Sequence, residues 1–367
     1  MIGLQLFSLI LFIALLGSCK KEEANPSNIN PSRRGQVGVR SNNGIMEFFD
    51  TKNNVKFTPM GYNYTHLLEF TYNDTTLTGH ATFNHEYYNA EVTNSLLAQL
   101  QEAGYNTIRI FLNPLLLATN KTELNQDYFQ NIVDFITKAD QHEISVIITT
   151  DMIPIAYYNT EIKSEKDIWW WNTQFIYKAE IDLEINFWQT FIDELKNNTV
   201  PLEAILAYEI RNEFFFHPDY PPFNQDSGIV EHPNGISYNM SVESERNALL
   251  DVSFLHWTST VRNAIREKDS KALVTVGFYA PEPLGKPSNK AITQSELDFI
   301  DIHMYPEHAL LGEYANYFDL VANKSKLIIM GEFGYIENKN VSINKVTDIL
   351  LDWKNEAISN YHIDGWL

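Results

Sequence analysis

The chain has a single cysteine in 367 residues, Cys19, so it can build neither a disulfide framework nor a thiolate metal site. Its ten histidines form no H-x-H and no H-E-x-x-H, the spacings a metal-dependent barrel hydrolase uses. No G-x-G-x-x-G turn follows the first strand-like segment, and neither a phosphate loop nor a serine-centred nucleophile elbow is present. The expectation is therefore no metal and no cofactor. Positive charge is scarce as well. With 27 Lys and Arg against 47 Asp and Glu, the formal net charge is -20. Such a field repels phosphate backbones and argues against nucleic acid as a partner, whereas a neutral polymer meets no such barrier.

Long apolar runs are rare, and the one at the start has a particular ending. Ile2–Leu16 is uncharged and apolar, and Leu16-Gly17-Ser18-Cys19 follows it. A transmembrane helix needs a somewhat longer stretch, about 18–20 residues, and has no use for a cysteine at its edge. The run resembles a bacterial lipobox, in which cleavage before the cysteine leaves it to carry lipid. The usual positive start is missing, since Met1–Phe7 holds no Lys or Arg. Lys20–Gln36 is polar and rich in Pro, Ser and Asn, which reads as a tether. Its Lys20-Lys21-Glu22-Glu23 start resembles the charged tags that send some lipoproteins to the cell surface. The expected organisation is a signal peptide at 1–18, a lipid-anchored tether at 19–36 from Cys19, and one folded domain at 37–367. The expected location is outside the cytoplasm, on a bacterial (outer) membrane through the lipid alone.

At 44% hydrophobic and 13% aromatic, the remainder can bury one large core. Val37–Phe57 reads as a short hairpin around the turn-rich Asp50–Asn54. Strand-like and helix-like segments then alternate. Phe57–Tyr64, Thr107–Leu112, Ile144–Thr150, Ile205–Glu213, Ala272–Phe278, Leu297–Met304, Leu327–Gly334 and Ile363–Leu367 make eight strand candidates, most followed by a helix. Several are continuously apolar, as parallel strands covered on both faces should be. The pattern predicts an α/β fold, a (β/α)₈ TIM barrel with an N-terminal β-hairpin. An open doubly wound sheet would want the missing glycine-rich turn. The chain stops inside the eighth strand with no helix to cover it, which reads as a fragment.

Two of the apolar runs end in a glutamate: Ile205–Glu213 (ILAYEIRNE) and Leu327–Gly334 (LIIMGEFG). Carboxylates at the carboxyl ends of buried parallel strands stand where such folds keep their chemistry. Glu213 and Glu332, far apart in sequence, suggest a pair of acids working on one bond. A lone glutamate after a strand is as easily a solvated or capping acid; a pair on two apolar strands is harder to explain that way.

Further residues fall into place around them. Asn212 precedes Glu213, His303-Met304-Tyr305 ends the sixth strand candidate, Gly331-Glu332-Phe333-Gly334 ends the seventh, and Arg109 lies on the second. Together these resemble the cellulase-type retaining glycoside hydrolases, family five and its relatives in the large clan of TIM-barrel glycosidases. The resemblance covers roughly Val37 to the end. It implies that Glu213 is the acid/base and Glu332 the nucleophile, about 5–5.5 Å apart, with Glu213 holding its proton nearer neutral pH once Glu332 is charged. Arg109 and Tyr305 would favour ionised Glu332, Asn212 would bind the sugar 2-hydroxyl, and His303 would orient its neighbours or touch the sugar. On a regular strand Asn212 and Glu213 face opposite ways, so the strand end must bend. Where many members carry a histidine after the third strand, Thr149-Thr150-Asp151-Met152 stands here.

Aromatic residues complete the picture, because sugar faces stack on flat rings. Trp169, Trp170 and Trp171 form a triple tryptophan in a polar loop after the third strand, a candidate sugar platform. Phe214-Phe215-Phe216-His217 reads equally as cleft or lid, with Tyr62 and Asn63 as weaker cleft candidates. Trp366 comes slightly early for the tryptophan that the family places at the end of its eighth strand. The implied partner is a β-linked oligo- or polysaccharide, cut by an endo-β-mannanase or endo-β-glucanase type of enzyme. The alternative is a surface glycan-binding lipoprotein on the same barrel with catalysis lost.

Overall fold

The computed structural model describes residues 35–72, 75–118, 120, 123–152, 170–279, 285–321, 325–335 and 341–367. The signal, the Cys19 lipidation site, nearly all of the tether, Trp169 and the side chain of Trp170 lie outside the described residues. Among those described, no helix is long and apolar enough to cross a membrane.

The chain opens with three antiparallel strands, β1 (Val37–Asn42), β2 (Ile45–Asp50) and β3 (Val55–Phe57), in that spatial order. The sequence pattern marks only the second turn, where Asp50 Oδ1 accepts from the amides of Lys52 and Asn53 at 2.8 and 3.2 Å. The first turn is the two-residue loop Asn43-Gly44, with φ of 54° and 83°. Asparagine and glycine enter that left-handed region at least cost, which suits a tight hairpin. The predicted hairpin is therefore a three-stranded sheet.

Strand β4 (Gly61–Tyr64) follows, then an antiparallel hairpin of β5 (Leu67–Tyr72) and β6 (Thr75–His80). The helix Ala90–Glu102 starts where Asn89 Oδ1 accepts from the amides of Glu91 and Val92, and leads into β7 (Thr107–Leu112). The helix Gln126–Gln141 precedes β8 (Ser145–Thr150), and Lys178–Asn197 precedes β9 (Ile205–Glu209). A second small hairpin, β10 (Ile229–Glu231) with β11 (Ser237–Asn239), comes before the helix Glu243–Lys268. Next are β12 (Leu273–Thr275), β13 (Gly277–Phe278), the helix Asn289–Gln294 and β14 (Phe299–His303). The helix Leu311–Phe318, β15 (Leu327–Glu332), the helix Ile343–Tyr361 and β16 (Gly365–Trp366) end the chain. Neither small hairpin carries an apolar alternation strong enough to stand out in the sequence.

Two parallel sheets, β12-β9-β8-β7-β4 and β13-β14-β15-β16, share the eight barrel strands. They meet at the fifth strand, which Val276 divides into β12 and β13, and again where Met60, just ahead of β4, bridges in parallel to Trp366. The result is a (β/α)₈ barrel. Strands β7, β8 and β15 are buried at every position, which their unbroken apolar runs foretell. The predicted first strand, Phe57–Tyr64, is shared between two structures, because Phe57 belongs to β3.

Inside the barrel the layers differ sharply. Ile147, Ala207, Leu273, Phe299, Leu327 and Ile329 pack against Val37, Phe48 and Phe57 of the antiparallel sheet. Phe48 meets Phe299 edge-on at 5.3 Å between centroids. That sheet closes the amino-terminal end of the barrel. Toward the carboxyl ends of the strands the buried residues are Arg109, Thr149, Glu209, Thr275, Asp301, His303 and Glu332. Buried charge on this scale is stable only when paired and hydrogen-bonded, and it marks the site.

Candidate active site

Arg109 sits at the centre, fully buried on β7. Its Nε and Nη2 donate to the two oxygens of Glu209 at 2.9 and 2.5 Å. Nη1 donates to Glu332 Oε1 at 2.6 Å and to Asn63 Oδ1 at 2.9 Å, and Nη2 also donates to Asn212 Oδ1 at 2.7 Å. All five guanidinium N–H bonds are thus used, which a lysine could not reproduce. Asn63 stands beside Arg109 in the β4–β7 register, and its amide nitrogen donates to the Gly331 carbonyl at 2.8 Å. Asn63 is therefore part of the site. Tyr62, its neighbour, faces away and packs edge-on against Tyr105 at 4.7 Å.

Glu332 reaches the site through a bulge. Asp301 pairs with Ile329 but His303 pairs with Glu332, so β15 carries one extra residue over that span. Gly331 lies in this span, and a Cβ there would fall 1.9 Å from Asp301 Oδ1. The glycine of the Gly-Glu-Phe-Gly run thus leaves room for a buried acid and turns Glu332 toward His303. Tyr305 Oη donates to Glu332 Oε2 at 2.6 Å. Burial alone would raise the Glu332 pKa, but His303, Arg109 and the Tyr305 hydroxyl together pull it down to about 2. Glu332 is an ionised carboxylate at any ordinary pH.

Glu213 lies four residues beyond the end of β9 rather than on the strand. Its φ of 47° is left-handed, unusual for a residue with a side chain. The backbone around it is tied to both neighbouring strands: Asn212 N donates to Thr150 O at 2.9 Å and Phe214 N to Gly277 O at 2.7 Å. This bend resolves the alternation problem. Arg211 turns outward to Glu184 of the helix Lys178–Asn197 at 3.2 Å, while Asn212 and Glu213 both turn in.

His303 stands between the two glutamates. Its Nδ1 is 3.3 Å from Glu213 Oε1 and 3.6 Å from Glu332 Oε1. One oxygen of each glutamate lies within 4.8 Å of the other. Burial works against a charged imidazole, but Glu332 and the hydrogen bond to Glu213 outweigh it and raise the pKa to about 9. Beneath, Asp301 is fully buried beside Glu209, and burial followed by that like charge pushes its pKa far above the carboxylate range. Glu213, His303 and Glu332 form one group able to hold a cation, and Glu209, Asp301 and His303 another. Arg109 already supplies positive charge and hydrogen bonds to Glu209 and Glu332 in both groups.

Aromatic rings line one side. Trp171 lies 4.9 Å from Phe215 between centroids, Phe215 6.1 Å from Tyr279, Tyr279 6.2 Å from His308, and His308 5.4 Å from Tyr305. Within Phe214-Phe215-Phe216 the roles alternate. Phe214 and Phe216 are buried around Phe175, and only Phe215 joins the row of rings. Trp366 packs edge-on against Tyr105 and Phe333.

Four residues that sequence reading did not assign also belong to the site: Glu209, Asp301, His80 and Asp151; Asn63, read there as a weaker cleft candidate, accepts from Arg109. Glu209 was recognisable in principle, as a charged residue inside an apolar run. His80 was not, because the hairpin that delivers it gives no clear signal.

Comparison with known proteins agrees with this geometry. The profile of the cellulase family, glycosyl hydrolase family 5, matches residues 68–364. No curated protein sequence matches. Among solved structures, an endo-1,4-β-mannanase from Rhizomucor miehei superposes with a TM-score of 0.59 at 16% identity, covering 90% of this chain and 89% of that one. An exo-β-1,4-mannosidase from an Opitutaceae bacterium gives 0.57 at 15% identity over 93% of this chain, which spans only 54% of that longer protein. A β-mannanase from the blue mussel Mytilus edulis gives 0.52 at 15% identity, over 91% and 90% of the two chains. At these identities the likeness is one of fold.

Proposed function

Because the chain belongs to the cellulase family of glycoside hydrolases, glycosyl hydrolase family 5, we propose that it cleaves a β-linked mannan or glucan internally, with Glu332 as nucleophile and Glu213 as acid/base. One observation carries the roles: two carboxylates with oxygens within 4.8 Å, one of them held ionised. Retaining enzymes place their carboxyl groups about 5–5.5 Å apart, whereas inverting ones leave about 6.5–9.5 Å for a water.

In the first step Glu332 attacks the anomeric carbon as the bond to the leaving oxygen breaks, and Glu213 gives its proton to that oxygen. In the second, Glu213 takes a proton from water, water attacks the same carbon, and Glu332 departs. Two inversions leave the configuration unchanged. Arg109 and Tyr305 hold Glu332 in line, and His303 keeps positive charge between the acids. Asn212 is fixed by Arg109 and Asp151 and retains one amide N–H for the sugar 2-hydroxyl. Trp171, Phe215 and Tyr279 offer the leaving portion of the glycan a row of stacking faces, and Tyr279 lies within reach of the Glu213 charge, which after burial raises its pKa. Mannanase and mannosidase names among the similar structures make mannan the first substrate to try. The reading includes export, with lipid at Cys19 holding residues 37–367 outside the cytoplasm on the tether.

The test is hydrolysis of defined β-mannans, β-glucans and xylans by the purified chain, with the anomer of the first product followed by proton NMR. Retained configuration on mannan or glucan, abolished by Glu332→Gln, is the expected result. Initial inversion, or equal turnover by Glu332→Gln, would refute the roles.

A further inference from the structure

His80 ends the β5–β6 hairpin and lies flat on Phe111, with 4.1 Å between ring centroids. Its carbonyl accepts from Asn113 Nδ2 at 2.8 Å. Nδ1 is 2.5 Å from Thr65 Oγ1, and Nε2 is 3.2 Å from Asp151 Oδ2. Burial lowers the pKa of this ring, although Asp151 pulls the other way. A neutral ring in this setting accepts the Thr65 hydroxyl proton at Nδ1 and donates Nε2–H to Asp151. The other Asp151 oxygen accepts from Asn212 Nδ2 at 2.8 Å. A hydrogen-bonded chain therefore runs from His80 through Asp151, Asn212 and Arg109 to Glu332.

The chain alone does not account for Asp151. A carboxylate offers about four acceptor positions, and His80 and Asn212 occupy one on each oxygen. The side chain keeps 31% of its surface exposed, against 14% for His80. Asp151 lies near enough for the charge of Glu213 to reach it, and those of Glu213 and Glu332 both reach His80. Orienting Asn212 needs only one oxygen of Asp151. The second oxygen, fixed by an imidazole that is itself held by Phe111 and Thr65, sets the carboxylate plane before any ligand arrives.

We propose that Asp151, held in plane by His80, determines specificity at the cleavage point by accepting a hydrogen bond from a ring hydroxyl of the sugar that Glu332 attacks. The same carboxylate excludes a uronic acid from that position, because it adds a further acid within reach of Glu213. The proposal rests on the hydrolase reading and adds the substrate class: a neutral sugar with a free hydroxyl on the Asp151 side.

The test compares an aryl β-hexoside with its mono-deoxy analogues on the wild type, Asp151→Ala and Asp151→Asn. A hydrogen bond to a charged group contributes about 1.5–3 kcal/mol, so one deoxy analogue should react roughly 10- to 100-fold more slowly than its parent on the wild type. In Asp151→Ala that ratio should fall toward one at a hydroxyl other than the 2-hydroxyl, while ratios for the other analogues hold. The isosteric Asp151→Asn should also narrow the preference for the hexoside over the matching aryl β-glucuronide. Parallel loss across all analogues, or a collapse confined to the 2-deoxy compound, would mean that Asp151 acts only through Asn212 and would overturn the proposal. An unchanged preference against the glucuronide would overturn the exclusion. A wild type inert on every aryl glycoside and polysaccharide would instead sink the hydrolase reading beneath it.

Discussion

The two ends of this barrel are built on the same strands and obey opposite rules. Along β14 the chain passes from Phe299, packed on Phe48, to Asp301 and then to His303. Along β9 it passes from Ala207 to Glu209, and along β8 from Ile147 to Thr149. Two residues, one period of the strand, separate an apolar plug from a charged network. At the closed end hydrophobic burial gives stability and asks nothing of direction. At the open end Arg109 collects Glu209, Glu332, Asn63 and Asn212, and every bond is directional. The packed end below fixes the strands that carry the reacting carboxylates above.

The largest expected effect breaks the open end alone. Glu213→Ala should lower kcat on polysaccharide by about 10²–10⁴-fold, and much less for aryl glycosides whose leaving groups need no proton. Equal loss across a leaving-group series would contradict its role as the acid. The mirror experiment breaks the closed end. Phe299→Ala should cost about 3–5 kcal/mol of unfolding free energy, read from urea denaturation, while kcat well below the melting temperature changes little. A large loss of kcat without loss of stability would show that the two ends are not separable.

The smallest effect concerns pH. His303 has its folded pKa raised from 6.5 to about 9. Its contribution to stability is therefore complete below pH 6.5 and is lost as pH rises through 9. The fall is at most about 3.4 kcal/mol. Glu332, lowered to about 2, contributes above the usual carboxylate range and loses that contribution only in strong acid. Between pH 6.5 and 9 the wild type should lose stability that His303→Gln does not. Parallel curves for the two proteins would show that the imidazole does not carry the proton.

Several of the barrel strands were legible because parallel strands buried on both faces leave unbroken apolar runs, and Glu213 and Glu332 stood out by ending two of them. Arg109, His303, Tyr305 and Asn212 come together around Glu213 and Glu332. What could not be read depends on backbone shape and on distant segments. The left-handed turn at Glu213 and the extra residue that swings Glu332 into place leave no periodic signature. Gly331 looked like part of a motif, yet its meaning is the carboxylate of Asp301 lying where a Cβ would be. His80 arrives on a hairpin whose two short strands alternate too weakly to be seen, and it meets Asp151 from 71 positions away in sequence. Of the triple tryptophan, Trp171 joins the aromatic row, while Trp169 and the Trp170 side chain lie outside the described residues.

The most direct measurement asks which oxygen bonds to the sugar. A 2-fluoro β-mannoside or β-glucoside with a good leaving group slows the second step more than the first, so the intermediate accumulates. Mass spectrometry of the digested protein should then find one added sugar, on the peptide carrying Glu332, released again as excess acceptor is added. A sugar attached at any other residue, or none while the reagent still turns over with inversion, would contradict the account.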